Sequence, residues 1–147
     1  MVRGDVIADV GSDHAYLPIW LYLNKKIKKA YALDISENCV NRIRANIKRY
    51  KISEDIIVPV LSDGLNGLKD LSDLSDVTDI AIAGMGGMNI AEIIHSPVSG
   101  VNYILQPNRK AEFLRDFLHE NKFDIIQEIA VESKNRFYTV INARLYT

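Results

Sequence analysis

Acidic residues stand at the ends of several short apolar runs in this chain, and the first of them opens a loop suited to holding a ligand. The stretch Ala8-Asp9-Val10-Gly11-Ser12-Asp13-His14-Ala15-Tyr16-Leu17-Pro18 carries Asp9 in an apolar run, passes Gly11, and leads through a polar loop into an apolar segment. Open α/β sheets build cofactor sites in this way, at the carboxyl end of the first strand. A dinucleotide fingerprint would want glycine where Asp13 and Ala15 stand. A pyrophosphate would need bare backbone where Asp13 and His14 bring side chains. The loop suits a smaller, cationic ligand instead, of the kind of S-adenosylmethionine, whose sulfonium and amino group favour nearby carboxylate.

Further chemistry-bearing residues follow at other strand ends. Asp34 lies roughly twenty residues beyond Gly11, a spacing at which a carboxylate accepts hydrogen bonds from ribose hydroxyls. Asp63 is placed to accept from an adenine amino group. Gly84-Met85-Gly86-Gly87 is either a tight strand-to-helix turn or a close approach of backbone to ligand, with Met85 as apolar wall or core. In Gln106-Pro107-Asn108 the proline fixes a loop presenting Asn108, whose amide donates and accepts at a base edge. Each acid also has a plainer reading as a helix cap or turn former. His14, His95 and His119 have no partners at ligand spacing, so no metal site is expected. No nucleophile elbow is present either. Cys39, the single cysteine, reads as packing.

The elements that must position these residues alternate almost to the end of the chain. Val6-Ile7-Ala8-Asp9-Val10 reads as a buried strand, and the following helix packs through Leu17, Trp20, Leu21 and Leu23. The basic turn Lys25–Lys29 complements that helix's dipole. Residues 30–35 form a second strand. Ser36 caps a helix whose Val40, Ile43 and Ile47 share a face. Residues 56–61 are a third strand, placed at an edge by Pro59. The stretch Leu65–Leu74 is a loop or small helix, and residues 79–83 are a central strand apolar on both faces. A helix starts near Gly87, residues 101–106 form a fifth strand, and residues 111–121 a helix packing through Phe113, Leu114, Phe117 and Leu118. Residues 124–131 and 137–145 are joined too closely to be parallel and predict an antiparallel hairpin. The fold class is therefore α/β, Rossmann-like, with a mostly parallel sheet ending in that hairpin. Helices normally cover both faces of such a sheet, yet none precedes the first strand here. Part of one face is therefore expected to be bare, thinly covered or buried by a partner chain.

With 147 residues, the chain is expected to be one domain, 1–147, with a core of its own. Hydrophobic residues make up 48% and charged residues 25%, as in soluble globular proteins. The net charge of −1 gives no global attraction to a polyanion, so nucleic-acid contact must come from local patches such as Lys25–Lys29 and Arg42–Lys51. One cysteine, no leader and no membrane-length apolar run together predict a cytoplasmic protein without a membrane partner.

The motifs, taken in order, resemble those of the bacterial tRNA (adenine-22-N1)-methyltransferases, class I enzymes that use S-adenosyl-L-methionine. The resemblance rests on residues 9–18, on Ser62-Asp63-Gly64-Leu65, on residues 82–87 and on Leu105-Gln106-Pro107-Asn108. It implies that the Gly11–His14 loop, Asp34 and Asp63 hold the methyl donor; the candidate cofactor residues are taken together as Asp9, Gly11, Ser12, Asp34, Ile35, Asp63, Gly64, Gly84, Met85 and Gly86. Residues 84–87 would border the target base. Asp13 would stabilise charge on the base, His14 would assist it, and Asn108 would orient the base. Family members often carry glutamate where this chain has Asp34. They also have a helical segment before the first strand and a helical, tRNA-binding domain after the last. The chain is expected to lack both and to hold tRNA less firmly. A different reading stays open: a non-catalytic or partner-dependent cofactor-binding module, self-associating or completed by a helper chain. A methyltransferase with another substrate is also open.

Overall fold

The computed structural model describes residues 1–71 and 76–146. The chain forms two compact units, Val2–Ile80 and Ala81–Thr147, Met1 joining the second. The first contains β1 (Val6–Val10), α1 (Tyr16–Leu23), β2 (Lys29–Asp34), α2 (Glu37–Arg49), β3 (Ile57–Leu61) and α3 (Asn66–Lys69). β1 pairs with β2 in parallel from Val6↔Lys29 to Val10↔Leu33, and β2 pairs with β3 from Ala30↔Ile57 to Asp34↔Leu61. This register sets the carboxyl ends of the three strands side by side. Ile7, Leu33, Ile43, Ile47, Ile57 and Leu68 are fully or almost fully buried in this unit. Ser36 caps α2, its hydroxyl accepting from the Cys39 amide.

β4 (Asp79–Met85) begins at the end of the first unit and continues into the second, followed by α4 (Gly87–Ile93), β5 (Asn102–Pro107), α5 (Ala111–Glu120), β6 (Phe123–Ser133) and β7 (Arg136–Leu145). β7 runs antiparallel to both β5 and β6. Tyr103 meets Phe123 edge to face, with ring centroids 5.6 Å apart, and its hydroxyl both accepts from the Val98 amide and donates to the Val98 carbonyl. Among the described residues the strand order is β3-β2-β1 in the first unit and β4-β5-β7-β6 from β4 onward. Pro59 thus sits in an edge strand, where its missing N–H costs no ladder bond.

Several expectations are corrected. The hairpin turn is only Lys134-Asn135, with φ of 51° and 62°. Two consecutive left-handed residues make the tight turn that matches strand twist, so both strands run longer than the polar residues between them implied. In α1 the buried residues are Pro18, Ile19 and Leu21, while Leu17, Trp20 and Leu23 are exposed. The lysines meant to complement its dipole lie beyond the helix end, Lys25 itself being left-handed. In α5, Leu114 and Leu118 are buried but Phe113 is exposed. β4 extends through Gly84 and Met85, and β2 ends at Asp34, leaving Ile35 outside it. Of the Leu65–Leu74 stretch, residues 66–69 are helical, and residues 72–74 lie outside the described residues. β6 is exposed along nearly its whole length. Among the described residues no helix is long and apolar enough to cross a membrane.

Candidate functional site

The loop between β1 and α1 is held almost entirely by its own neighbours. Gly11 and Ser12 both donate their amides to the Leu33 carbonyl at the end of β2, at 2.9 and 2.8 Å. The Asp13 amide donates to Asp34 Oδ2 at 3.1 Å, and the Ser36 amide to Asp34 Oδ1 at 3.2 Å. Ser12 Oγ donates to Asp9 Oδ2 at 2.8 Å. Three successive amides are therefore spent inside the protein, and the loop has no cradle of N–H groups there for a phosphate. It offers carboxylates instead. Asp9 is 6% exposed, and its carboxyl is pushed up to about 7, chiefly by burial, with the Ser12 hydrogen bond pulling the other way and the nearby Asp34 charge adding to the rise. A carboxylate so poorly solvated is stabilised by any cation brought beside it.

Asp13 and His14 project from a strained turn. Asp13 and Ala15 have φ of 56° and 60°, a conformation that costs a non-glycine residue roughly 1–2 kcal/mol. Arg42 Nη2 donates to Asp13 Oδ1 at 3.1 Å, and His14 Nε2 lies 3.7 Å from Asp13 Oδ2. The His14 ring stacks on Tyr16, centroids 5.0 Å apart and planes 16° from parallel. Asn46, on α2, donates its side-chain amide to the His14 carbonyl at 2.7 Å.

At the neighbouring strand ends, Asp34 is buried and Ile35 is 69% exposed. Leu61, in register with Asp34, is also exposed, and Asp63 is exposed just beyond it. The Gly64 φ is 58°, and Ser62 Oγ donates to the Gly64 carbonyl at 2.7 Å. Two large apolar side chains in water at adjacent strand ends offer a face to a flat, apolar ligand surface. The first unit therefore brings together Asp9, Gly11, Ser12, Asp13, His14 and Asp34, with Ile35, Asp63 and Gly64 following on β2 and β3. Leu61 and Asn46 were missed by the sequence reading, and Arg42 was read only as part of a basic patch, not as the partner of Asp13. An apolar strand terminus carries no motif, and Arg42 and Asn46 act across 29 and 32 residues of chain.

In the second unit the Gln106 side chain joins two of the predicted segments. Its Oε1 accepts from the Gly84 amide at 3.0 Å, and its Nε2 donates to Asn108 Oδ1 at 3.3 Å. The Asn108 amide donates to the Met85 carbonyl at 2.7 Å. Gly84, at φ 77°, has open space where a side chain would start. Gly87 is different, since a Cβ there would lie 2.2 Å from the Lys110 carbonyl oxygen. Of the two readings of this glycine run, backbone packing thus accounts for Gly87 and leaves Gly84 and its open space. Met85 is half-buried and Gly86 abuts the Arg109 side chain. Among the described residues no group of three or more His, Cys, Asp or Glu side chains is arranged to hold a metal ion.

This strand order and these acidic strand ends, closed by an antiparallel hairpin, define a Rossmann-like α/β methyltransferase domain. The family model described as "Methyltransferase domain" matches residues 1–141. The chain is 33% identical over 142 residues to the tRNA (adenine(22)-N(1))-methyltransferase of Bacillus subtilis, a match covering 96% of this chain and 59% of that protein. It is similar to M. capricolum TrmK, solved with S-adenosyl-homocysteine, with a TM-score of 0.88, 30% identity, and coverage of 99% of this chain and 64% of that one. It is also similar to Streptococcus pneumoniae Sp1610 in complex with S-adenosyl-L-methionine, with a TM-score of 0.85, 33% identity, and coverage of 97% and 67%. The chain belongs to the tRNA (adenine(22)-N(1))-methyltransferase family. It spans about three-fifths of the length of the curated relative in Bacillus subtilis.

Proposed function

We propose that residues 1–147 act as one S-adenosylmethionine-dependent methyltransferase domain that transfers a methyl group to N1 of an adenine in tRNA. The observation that carries this reading is the cluster of Asp9, Asp13 and Asp34 around a loop whose Gly11, Ser12 and Asp13 amides are already spent. Such a site favours a cation over a phosphate. The complexes of two relatives with S-adenosyl-homocysteine and S-adenosyl-L-methionine support it. Asp34 would accept from the ribose, Asp63 from the adenine amino group, and Ile35 and Leu61 would pack on the adenine face. Asp9 and the Gly11–Ser12 turn would lie by the charged end, with Gly64, Gly84, Met85 and Gly86 completing the set.

Bound S-adenosylmethionine supplies a methyl group on a cationic sulfur. The N1 of adenine carries its own lone pair, so the chain's work is placement in line rather than prior proton removal. The ring becomes cationic as the new bond forms, and Asp13 is the carboxylate assigned to stabilise that charge. His14, beside Asp13, positions the base and then accepts its proton. Asn108, whose Oδ1 accepts from Gln106, keeps its Nδ2 to donate to the base edge. A cytoplasmic setting suits the free thiol of Cys39.

Titration calorimetry with S-adenosylmethionine and its demethylated product tests the site, and no heat at millimolar ligand would reject it. Asp34→Ala should weaken binding by about 1–3 kcal/mol, because bonds to a charged acceptor are the strong ones. Transfer of labelled methyl to unmodified tRNA tests the reaction, and undiminished activity in Asp13→Ala would remove the role given to Asp13. A second reading, a module completed by a helper chain or a second copy, is favoured by the exposed Tyr16, Leu17, Trp20 and Leu23 of α1. Its mark would be a solution mass above that of the monomer, with activity only in the assembly.

A further inference from the structure

The His14 carbonyl has a structural problem written into the sequence. Where the chain turns into α1, a carbonyl is normally taken by the N–H four residues on, as the Ala15 carbonyl is by Ile19 at 3.0 Å. Four residues after His14 stands Pro18, which has no N–H. The two residues flanking His14, Asp13 and Ala15, are both left-handed, so this part of the chain tends to relax unless something holds it. Asn46 reaches from α2, 32 residues away, and donates to that carbonyl at 2.7 Å.

We propose that Asn46 is a positioning residue for methyl transfer, its side-chain amide pinning the His14 carbonyl and so fixing the strained turn that presents Asp13 and His14. The role rests on the function proposed above, but its mechanical part does not. The position needs a donor. An ionised aspartate has none and would set a negative charge against a carbonyl oxygen, and leucine would fill the space without satisfying the bond. Glutamine keeps the donor on a longer arm.

The test compares the full chain with Asn46→Leu and Asn46→Gln. Amide hydrogen exchange without ligand reads the turn directly, because the Asp13 and Ala15 amides donate to Asp34 and Ser12 respectively. Asn46→Leu should speed exchange at Asp13 and Ala15 by about tenfold, the effect of losing one partly buried hydrogen bond, while the amides of α2 keep their protection. Its calorimetric Kd for S-adenosylhomocysteine should rise by a similar factor, about tenfold. In the tRNA assay kcat should fall as well as KM rise. Asn46→Gln should restore both exchange and affinity to within about threefold of the wild type. Unchanged exchange at Asp13 and Ala15, or a rise spread over all of α2, would overturn the assignment. So would unchanged ligand affinity in Asn46→Leu beside normal wild-type binding. If the wild-type chain itself bound no ligand, the functional reading would fall, and the exchange data alone would still judge the hold of Asn46 on the turn.

Discussion

Asp9 shows how one side chain can make the protein sensitive to pH. Burial holds its carboxyl at about 7 against an ordinary value of 3.8, with Ser12 partly offsetting that rise and Asp34 adding to it. Between about pH 4 and 7 the folded protein keeps a proton that the unfolded chain has already lost. Stability from this group is therefore whole below pH 4, falls as pH rises through that window, and levels off above it. The full span amounts to roughly 4 kcal/mol, taking about 1.4 kcal/mol per pH unit. Asp9→Asn, which stays neutral, should lose this slope, so urea denaturation at pH 4.5 and 7.5 should show wild type falling relative to the variant. A constant difference between the two proteins would mean that Asp9 is ionised throughout. A cationic ligand docked nearby should lower the Asp9 pKa and release protons on binding near neutral pH. Calorimetry in two buffers of different ionisation enthalpy detects that release.

At the level of elements, the start of α4 is fixed by a contact between backbones. The Gly87 amide donates to the Arg109 carbonyl at 2.8 Å, and a Cβ at Gly87 would come within 2.2 Å of the Lys110 oxygen. No rotamer change relieves such a clash, so Gly87→Ala should destabilise the protein by about 1–3 kcal/mol in chemical denaturation. Gly86→Ala meets the flexible Arg109 side chain at 3.2 Å and should cost less. The reverse order would remove close packing as the reason for the glycine. The Gly-rich turn was legible in the sequence, but which glycine serves packing was not, because that depends on a loop over twenty residues away. Strand positions were legible from short apolar runs, and so was the Val40, Ile43 and Ile47 face of α2, since polar residues separate those positions. The face of α1 was not legible. Its sequence YLPIWLYL is apolar at nearly every position, so periodicity cannot tell the buried Ile19 and Leu21 from the exposed Trp20 and Leu23. In the candidate site, Asp9 and Asp34 could be read from their places on the first two strands, and Ser12 from the loop motif that follows Gly11. Asn46 could not, because its role exists only once α2 has folded back along the turn.

For the molecule as a whole, a formal net charge of −1 leaves no long-range pull on RNA, so the tRNA binding proposed above would have to come from its basic surface. That surface is exposed around Lys25, Lys26 and Lys28 and again along Arg42, Arg44, Lys48, Arg49 and Lys51. Part of it is already engaged, with Lys28 beside Asp5, Arg42 beside Asp13 and Arg44 beside Glu54. If the remainder neutralises about four phosphates, the logarithm of the tRNA affinity should fall against that of salt with a slope of about −3. Raising potassium chloride fourfold then weakens binding by roughly sixty-fold. Fluorescence anisotropy with labelled tRNA at several salt concentrations measures that slope, and a value near zero would mean that binding does not run through these side chains. The chain spans 59% of the Bacillus subtilis relative, so the same titration can be repeated after joining the remainder of that relative to this chain. If that remainder carries an RNA-binding surface, the complex should tighten at least about tenfold, or about 1.4 kcal/mol, at equal ionic strength. Equal affinity with an equal slope would place the whole hold on tRNA in the basic residues around α1 and α2.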